Sequence, residues 1–119
     1  MSDPTSKKPS YPLEEVQKKI RRNEYRITLQ AINDADTFFG WERKDIIECL
    51  LKLNDKYHND DKDNNHFYKT DKNLNDPPHM MDVYRAKKIK DDCNVYTHLY
   101  ISNTEKIVVI NSFKKLKGG

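Results

Sequence analysis

Cysteine, glycine and long apolar segments are all scarce in this chain. The two cysteines, Cys49 and Cys93, have a spacing that fits neither a zinc site nor a disulfide-dense secreted domain, so we expect reduced thiols and no metal site. No apolar run approaches the length that spans a bilayer, and residues 1–10 are polar where a secretory signal would be apolar. These absences favour a soluble, cytoplasmic protein with no membrane partner.

Charge is nearly balanced, and the small excess lies in one half of the chain. The 119 residues include 22 Lys and Arg against 19 Asp and Glu, a formal net charge of +3. Residues 1–60 hold eleven cations and eleven anions, whereas residues 61–119 hold eleven cations and eight anions. A basic half is a modest electrostatic footprint for nucleic acid, although a charged, solvated surface is the common alternative.

The length fits one small domain with flanking segments. Residues 1–10 are polar and aperiodic and predict a flexible arm, residues 11–115 predict a single folded domain, and residues 116–119 predict a tail. Within the domain, residues 54–65 are almost wholly polar and predict a mobile loop. The acidic side chains of this loop lack the glycine and the closing glutamate of a calcium site, so we expect no calcium there.

Three helices are predicted before the polar loop. The first begins at Pro12, whose missing N–H suits the first helical position, and its apolar positions are Leu13, Val16 and Ile20. The second is capped by Thr28 and ends at Gly40. Its apolar side consists of Leu29, Ile32, Ala35 and Phe39. The third covers about residues 42–53, with Cys49 as a packing residue beside an apolar stripe of Ile46, Ile47, Leu50 and Leu51.

Beyond residue 65 the hydrophobic period changes to two, which indicates strands. Four strands are predicted, at residues 66–70, 80–86, 94–101 and 107–113, and residues 25–27 predict a short extended link. Residues 102–106 contain no glycine, so a longer hairpin loop is favoured over a two-residue turn. Helices followed by hairpin-connected strands predict an α+β fold, with N-terminal helices packed on a C-terminal antiparallel sheet.

The predicted strand at residues 94–101 separates apolar from reactive side chains. Alternation places Tyr96, His98 and Tyr100 on one face and a core-like set on the other, Val95, Thr97, Leu99 and Ile101. Phenol and imidazole groups stack on bases, donate hydrogen bonds to phosphate and, for histidine, titrate near neutral pH. Half-buried strand aromatics and a satisfied surface histidine are the plainer interpretation of the same pattern.

Two lysines occupy strand positions that suit phosphate contacts. Lys69 follows two aromatics inside the predicted strand at residues 66–70. Lys114 lies just beyond the last predicted strand, where its backbone is fixed and its ammonium group is free to reach a ligand. The alternative is an exposed lysine of the tail. Further candidate RNA contacts in this basic half are His79, Arg85, Lys87, Lys88 and Tyr100.

Several short motifs follow one another in order along the chain. They are Leu13-x-x-Val16-x-x-x-Ile20, Ala35-Asp36, Phe67-Tyr68-Lys69, Asp82-Val83-Tyr84-Arg85, Val95-Tyr96 and Ser112-Phe113-Lys114. Over about residues 11–115 this series resembles the MqsR family of bacterial toxins. The resemblance implies a RelE-like fold of the microbial ribonuclease type. It also implies an mRNA interferase that cuts RNA at short GC-containing sites and is neutralised by an antitoxin encoded beside it.

The resemblance assigns site residues, with two departures. The family's lysine after Phe-Tyr, its tyrosine after Val and its C-terminal lysine fall on Lys69, Tyr96 and Lys114. Met81 stands where the family has a glutamine before Asp-Val-Tyr, so that hydrogen-bonding role is vacant or passes to His79. His98 replaces a lysine two residues beyond the tyrosine and supplies a titrating group. Residues 54–65 look like an insertion.

These residues predict a toxin that is a metal-independent endoribonuclease without a cofactor. The RNA's own 2′-hydroxyl would attack and leave a 2′,3′-cyclic phosphate, with a base, a proton donor and cations drawn from Tyr96, His98, Lys69 and Lys114. The base and the acid stay open, although His98 suits the base without perturbation. The expected partners are mRNA and a cognate antitoxin, with a monomer when no antitoxin is bound. A non-catalytic RNA- or DNA-binding module and a domain that binds an acidic protein are the alternatives.

Overall fold

The computed structural model describes residues 9–54, 66–72 and 80–115. The helices of this part are α1 (Leu13–Arg21), α2 (Leu29–Phe39) and α3 (Arg43–Leu51). The strands are β1 (Tyr25–Ile27), β2 (Phe67–Lys72), β3 (Met80–Lys90), β4 (Cys93–Ile101) and β5 (Val108–Lys115). An α+β fold with N-terminal helices and a C-terminal sheet is confirmed.

Several sequence predictions lie outside the described residues. These are the arm up to residue 8, the polar loop over residues 55–65 with its calcium question, the tail over residues 116–119, and His79. No helix in the described ranges is long and apolar enough to cross a membrane.

The first two helices begin and end where their capping residues predict, with two corrections. Pro12 is the N-cap of α1, one residue before the first helical position, and its carbonyl accepts a hydrogen bond from the Val16 N–H at 3.0 Å. Thr28 Oγ1 accepts from the Ala31 N–H at 3.2 Å, and Gly40 adopts a left-handed φ of +68° at the end of α2. The prediction that Leu29 shares one packed apolar side of α2 with Ala35 was wrong, because its side chain is 72% exposed.

The exposure of Leu29 follows from the orientation of α2. This helix packs on β5 through its buried residues Ala31 and Ala35, which lie one turn apart. Leu29 precedes Ala31 by two residues, so it projects roughly 200° around the helix from the buried line. Small alanine side chains at the contact allow the helix to approach the sheet closely.

The third helix is fixed by a reciprocal cap and by α1. The Glu42 N–H donates to Asp45 Oδ2 at 2.9 Å, which forms half of a capping box. At the other end, Gln17 Nε2 of α1 donates to the carbonyls of Leu50 and Leu53, at 3.1 and 3.0 Å. Cys49 is fully buried in the core, and that burial raises the pKa of its thiol to about 12. The thiol is therefore a packing group, as its position beside the apolar stripe predicts.

The five strands form one mixed sheet in the order β1-β5-β4-β3-β2. Neighbouring strands from β2 to β5 are antiparallel, as predicted, and β1 adds a parallel edge by pairing Tyr25 with Val108 and Ile27 with Ile110. The predicted extended link is thus a strand. Because β1 covers its outer edge, β5 lies inside the sheet, and Val108, Val109 and Ile110 are all buried.

The hairpin of β3 and β4 is longer than the sequence predicts, and side-chain contacts hold its turn end against the helical layer. A two-residue turn at Asp91 and Asp92, with φ of +53° and +59°, joins the strands. Next to the turn, Lys90 Nζ lies 2.7 Å from Glu48 Oε2 of α3 and over the Trp41 ring at 5.8 Å from its centroid. These contacts tie the end of the hairpin to α3. The β4–β5 connection over residues 102–107 is a longer loop, as predicted.

The helices cover one face of the sheet. Strand residues on this covered face belong to the same apolar core as α1, α2 and α3, and include Phe67, Tyr84, Ala86, Val95, Leu99, Val108, Ile110 and Phe113. Alternation directs the other half of each strand to the opposite side of the sheet. We call that side the open face, and it carries Lys69, Asp71, Val83, Arg85, Tyr96, His98, Ser112 and Lys114.

Candidate active site

The sheet register brings the predicted site residues together on the open face. Arg85 of β3 pairs with Tyr96 of β4, which pairs with Lys114 of β5. In the adjacent row, His98 lies between Val83 of β3 and Ser112 of β5, and Val83 in turn pairs with Lys69 of β2. Neighbouring strands are about 4.8 Å apart. Residues far apart in sequence therefore form a compact group two rows deep.

Lys114 lies within β5 and not beyond its end. The strand continues to Lys115, and Lys114 is paired with Tyr96. Both lysines are exposed, but alternation places them on opposite faces, since Lys115 pairs with core residue Val95. A strand position fixes the root of Lys114 more firmly than a tail would, and its long side chain remains free to reach a ligand.

The ammonium group of Lys69 is held by an ion pair on its own strand. Its Nζ lies 3.3 Å from Asp71 Oδ2, and both side chains are 42% exposed. The hydrogen bond and charge of Asp71 raise the pKa of Lys69. Lys69 is therefore a cation at neutral pH and suits a charge role rather than that of a base.

His98 has the opposite perturbation. Its ring centroid lies 5.0 Å from that of Tyr96, and its Nε2 atom is buried with no hydrogen-bond partner among the described residues. Burial lowers the pKa of His98, Asp71 opposes this shift, and the charges of Lys114 and Lys69 add to it. At neutral pH the imidazole is therefore uncharged and can accept a proton.

The remaining candidates divide into exposed and buried groups. Arg85 and Lys87 are exposed, and Lys88 lies at a distorted position of β3 with a φ of +50°, where its N–H donates to Asn94 Oδ1 at 2.8 Å. Tyr100 is only 6% exposed and packs with Met81 and Val109 in a second apolar cluster. Its ring leaves no free face on which a base could stack, contrary to its assignment as an RNA contact.

Met81 occupies the position of the expected glutamine without replacing its chemistry. The side chain is 9% exposed, and its sulfur accepts from Asn111 Nδ2 at 3.5 Å. Asn111 is the extra residue where the β4–β5 register shifts after His98. A thioether packed in this way contributes to stability but has no hydrogen-bond donor to offer to RNA.

Sequence reasoning missed Asp71 as a member of the site. Its signal was available, because Asp71 follows Lys69 by two residues and a longer strand would place both on one face. The predicted strand ended at residue 70, two residues too early. Asp71 matters because it is an anion among three cations, and it influences both Lys69 and His98.

Within residues 9–54, 66–72 and 80–115, no three His, Cys, Asp or Glu side chains converge as metal ligands would. The arrangement offers a half-buried neutral imidazole, a phenol hydroxyl and several cations on one face of the sheet. These are groups for moving a proton and for stabilising negative charge.

Comparison with known proteins identifies the family of this chain. Residues 8–115, nearly the whole sequence, match the model of the family described as "Motility quorum-sensing regulator, toxin of MqsA". No curated protein matches the chain. The family description implies a toxin of a toxin-antitoxin system, with an antitoxin as partner. By the extent of this match, the chain belongs to the MqsR toxin family.

Proposed function

We propose that this toxin is an endoribonuclease that cuts mRNA through the RNA's own 2′-hydroxyl, with no metal ion, and thereby inhibits translation and growth. One observation carries the proposal: the half-buried imidazole of His98 lies on the same face of the sheet as Tyr96 and the cations Lys69, Arg85 and Lys114. Cleavage at short GC-containing sites rests on the family resemblance alone.

The proton at the attacking oxygen goes to His98. Its lowered pKa keeps the ring uncharged at neutral pH, so the imidazole can take the proton from the 2′-hydroxyl. The 2′-oxygen then forms a bond to phosphorus, and the bond from phosphorus to the 5′-oxygen breaks. The Tyr96 hydroxyl, a hydrogen-bond donor beside His98, protonates the leaving 5′-oxygen. The products are a 2′,3′-cyclic phosphate and a 5′-hydroxyl.

The cations stabilise the phosphorane between these two steps. Lys69 is a cation, and Asp71 raises its pKa further. The guanidinium of Arg85 adds a second, planar cation. Lys114 lies opposite Tyr96 in the register, so its ammonium can reach the same phosphate. Fixed charges around a developing dianion are the largest single contribution to many reactions of this kind.

The first experiment is to incubate the purified protein with labelled single-stranded RNA in EDTA. The proposal predicts discrete cuts that end in 2′,3′-cyclic phosphate, and it predicts that a 2′-deoxy substitution at a mapped site abolishes the cut there. Binding without cutting would identify a non-catalytic RNA-binding module instead. Neither binding nor cutting would favour a domain that acts only on proteins.

A further inference from the structure

Tyr68 is an exposed aromatic residue that the proposed reaction does not use. The sheet pairs Phe67 with Tyr84 and Lys69 with Val83, so Tyr68 is the extra residue of a β-bulge in β2. Its side chain is on the surface, whereas its neighbour Phe67 is buried against the Tyr84 ring at a centroid distance of 5.6 Å. A β-bulge changes the direction of a side chain, while the backbone on either side of it stays paired in the sheet.

Two cations of the open face contact the Tyr68 ring. The guanidinium carbon of Arg85 lies 4.6 Å from its centroid, and Lys69 Nζ lies at 5.5 Å. The Arg85 N–H also donates to the His66 carbonyl at 2.8 Å, which ties β3 to the residue before β2. The phenol and the guanidinium are therefore held together by their backbones as well as by cation–π attraction.

The position of Tyr68 distinguishes it from the other exposed apolar side chains. Leu29 and Phe38 are also exposed, but both belong to α2, on the covered side of the sheet. Tyr68 contacts Arg85, which pairs directly with Tyr96. An aromatic ring at 42% exposure therefore lies two strands away from Tyr96, across Arg85 of β3, and two cations contact it.

We propose that Tyr68 and Arg85 form a stacking subsite for one unpaired base of the RNA, next to the phosphate that is cut. This inference rests on the proposed function. Single-stranded nucleic acid is bound by aromatic rings and guanidinium planes for its bases and by neighbouring cations for its phosphates. The open face supplies this combination, with Lys69 following Tyr68 in the chain. An anionic chain of flat bases is the ligand that this chemistry fits.

The test uses a short RNA centred on a mapped cut, with a 2′-deoxy substitution at the scissile nucleotide so that binding is measured without cleavage. Stacking of one base contributes enough that Tyr68→Ala is expected to weaken binding about tenfold. Tyr68→Phe keeps the flat ring and is expected to bind like the native protein. Phe38→Ala removes an exposed aromatic from α2 and is the matched control, with no change expected.

A second measurement identifies the base. RNAs that lack a single base at successive positions are compared on the native protein and on Tyr68→Ala. We expect one position at which base removal weakens native binding about tenfold and has no further effect in the variant. Circular dichroism checks the fold of each protein. Tyr68→Leu keeps an apolar side chain of similar length but has no aromatic ring, so it separates stacking from general apolar contact.

The outcomes separate this inference from the proposed function. If native protein binds and cuts RNA but Tyr68→Ala and Tyr68→Leu behave identically to it, the subsite is overturned and the ribonuclease stands. If the variants bind RNA normally but lose affinity for the antitoxin, Tyr68 belongs to the protein interface and the subsite is again overturned. If native protein neither binds nor cuts RNA, both proposals fail.

Discussion

Lys69 Nζ lies 3.3 Å from Asp71 Oδ2, so the cation proposed to contact phosphate already has an anionic partner on its own strand. In the proposed complex the RNA competes with this carboxylate for the ammonium group. Both side chains of the pair are 42% exposed, and water screens an ion pair of this kind so strongly that it contributes little. We therefore expect the carboxylate to weaken RNA binding only slightly.

Asp71→Asn is expected to tighten RNA binding by at most about fivefold, because the competing charge is removed while the shape is kept. The low-pH part of the cleavage-rate profile, where protonation of His98 is expected to slow the reaction, should also move to lower pH. Asp71 opposes the lowering of the His98 pKa, so the variant should have a His98 pKa that is lower still. Binding titrations and a pH series on the variant check both effects. Weaker binding in Asp71→Asn would mean that the carboxylate orients Lys69 rather than competing for it.

The rate of cleavage should depend on the ionisation of His98. As the proposed base it is active when neutral, so the rate should rise with pH through a pKa below 6.5 and be level at neutral pH. His98→Gln should be slow and lack this limb. Single-turnover rates from acidic to alkaline pH decide the point. A native rate that falls with pH would make His98 an acid or a cation, and matching profiles would remove it from the chemistry.

Lys114→Ala should lose most RNA cleavage and retain the fold, because the side chain is exposed and assigned to phosphate charge. Lys115→Ala is an unusually close control, since it removes the same charge one residue away on the opposite face. Gel assays of cleavage and circular dichroism measure the two effects. Equal losses in both variants would show that general charge matters and not the position of Lys114. Lys69→Ala is expected to behave like Lys114→Ala.

Tyr96→Phe is expected to bind RNA nearly normally but to cleave it slowly, because only the hydroxyl is removed and the ring is kept. A general acid typically contributes about a hundredfold or more to a rate. Binding to an uncleavable RNA and single-turnover cleavage are measured on the same preparation. Native turnover in this variant would leave Tyr96 with a stacking or packing role.

Asp82 should be a structural residue although it belongs to the family-like motif. Its carboxylate is fully buried and accepts hydrogen bonds from the Ser10 and Tyr11 N–H groups and from Thr70 Oγ1, at 2.9, 2.8 and 2.7 Å. Asp82→Asn replaces one acceptor with a donor and should lower the free energy of unfolding by about 1–3 kcal/mol. Urea denaturation measures this loss.

The same variant separates structure from chemistry in that motif. Cleavage per folded molecule should be unchanged in Asp82→Asn, because Asp82 and Tyr84 lie on the covered face, whereas Arg85 lies on the open face. Thr70→Val removes one of the three donors and should have a smaller effect on stability. A folded but inactive Asp82→Asn protein would contradict the division of the motif between the two faces.

Local patterns predicted most of the fold because they act over short distances. Thr28 and Gly40 bound α2 as expected from capping chemistry, and alternation in β4 correctly placed Tyr96 and His98 opposite the core. The extended segment at residues 25–27 was predicted, but its pairing as a strand of the sheet was not, since three residues carry no periodicity and their partner β5 is distant in the sequence.

The errors at the site come from contacts between strands. Parity alone made Tyr100 equivalent to Tyr96, but Tyr100 pairs with Val109 and packs against Met81, so it is buried. The bulge at Tyr68 likewise depends on how β2 registers with β3. Register between strands distant in the sequence is fixed by the assembled core, which no single strand pattern encodes.

The attachment of Lys90 to Glu48 and Trp41 bears on which partner adapts in the proposed RNA complex. The hairpin that carries Arg85 and Tyr96 is closed by a tight turn and fastened to α3 at its far end. A surface held in this way is ordered before the ligand arrives, and the conformational entropy lost on binding is therefore lost mainly by the nucleic acid. Unpaired segments of an mRNA can adapt to such a rigid surface, whereas a base-paired stem must first separate its strands. We therefore expect messenger secondary structure to protect otherwise suitable sites from this toxin.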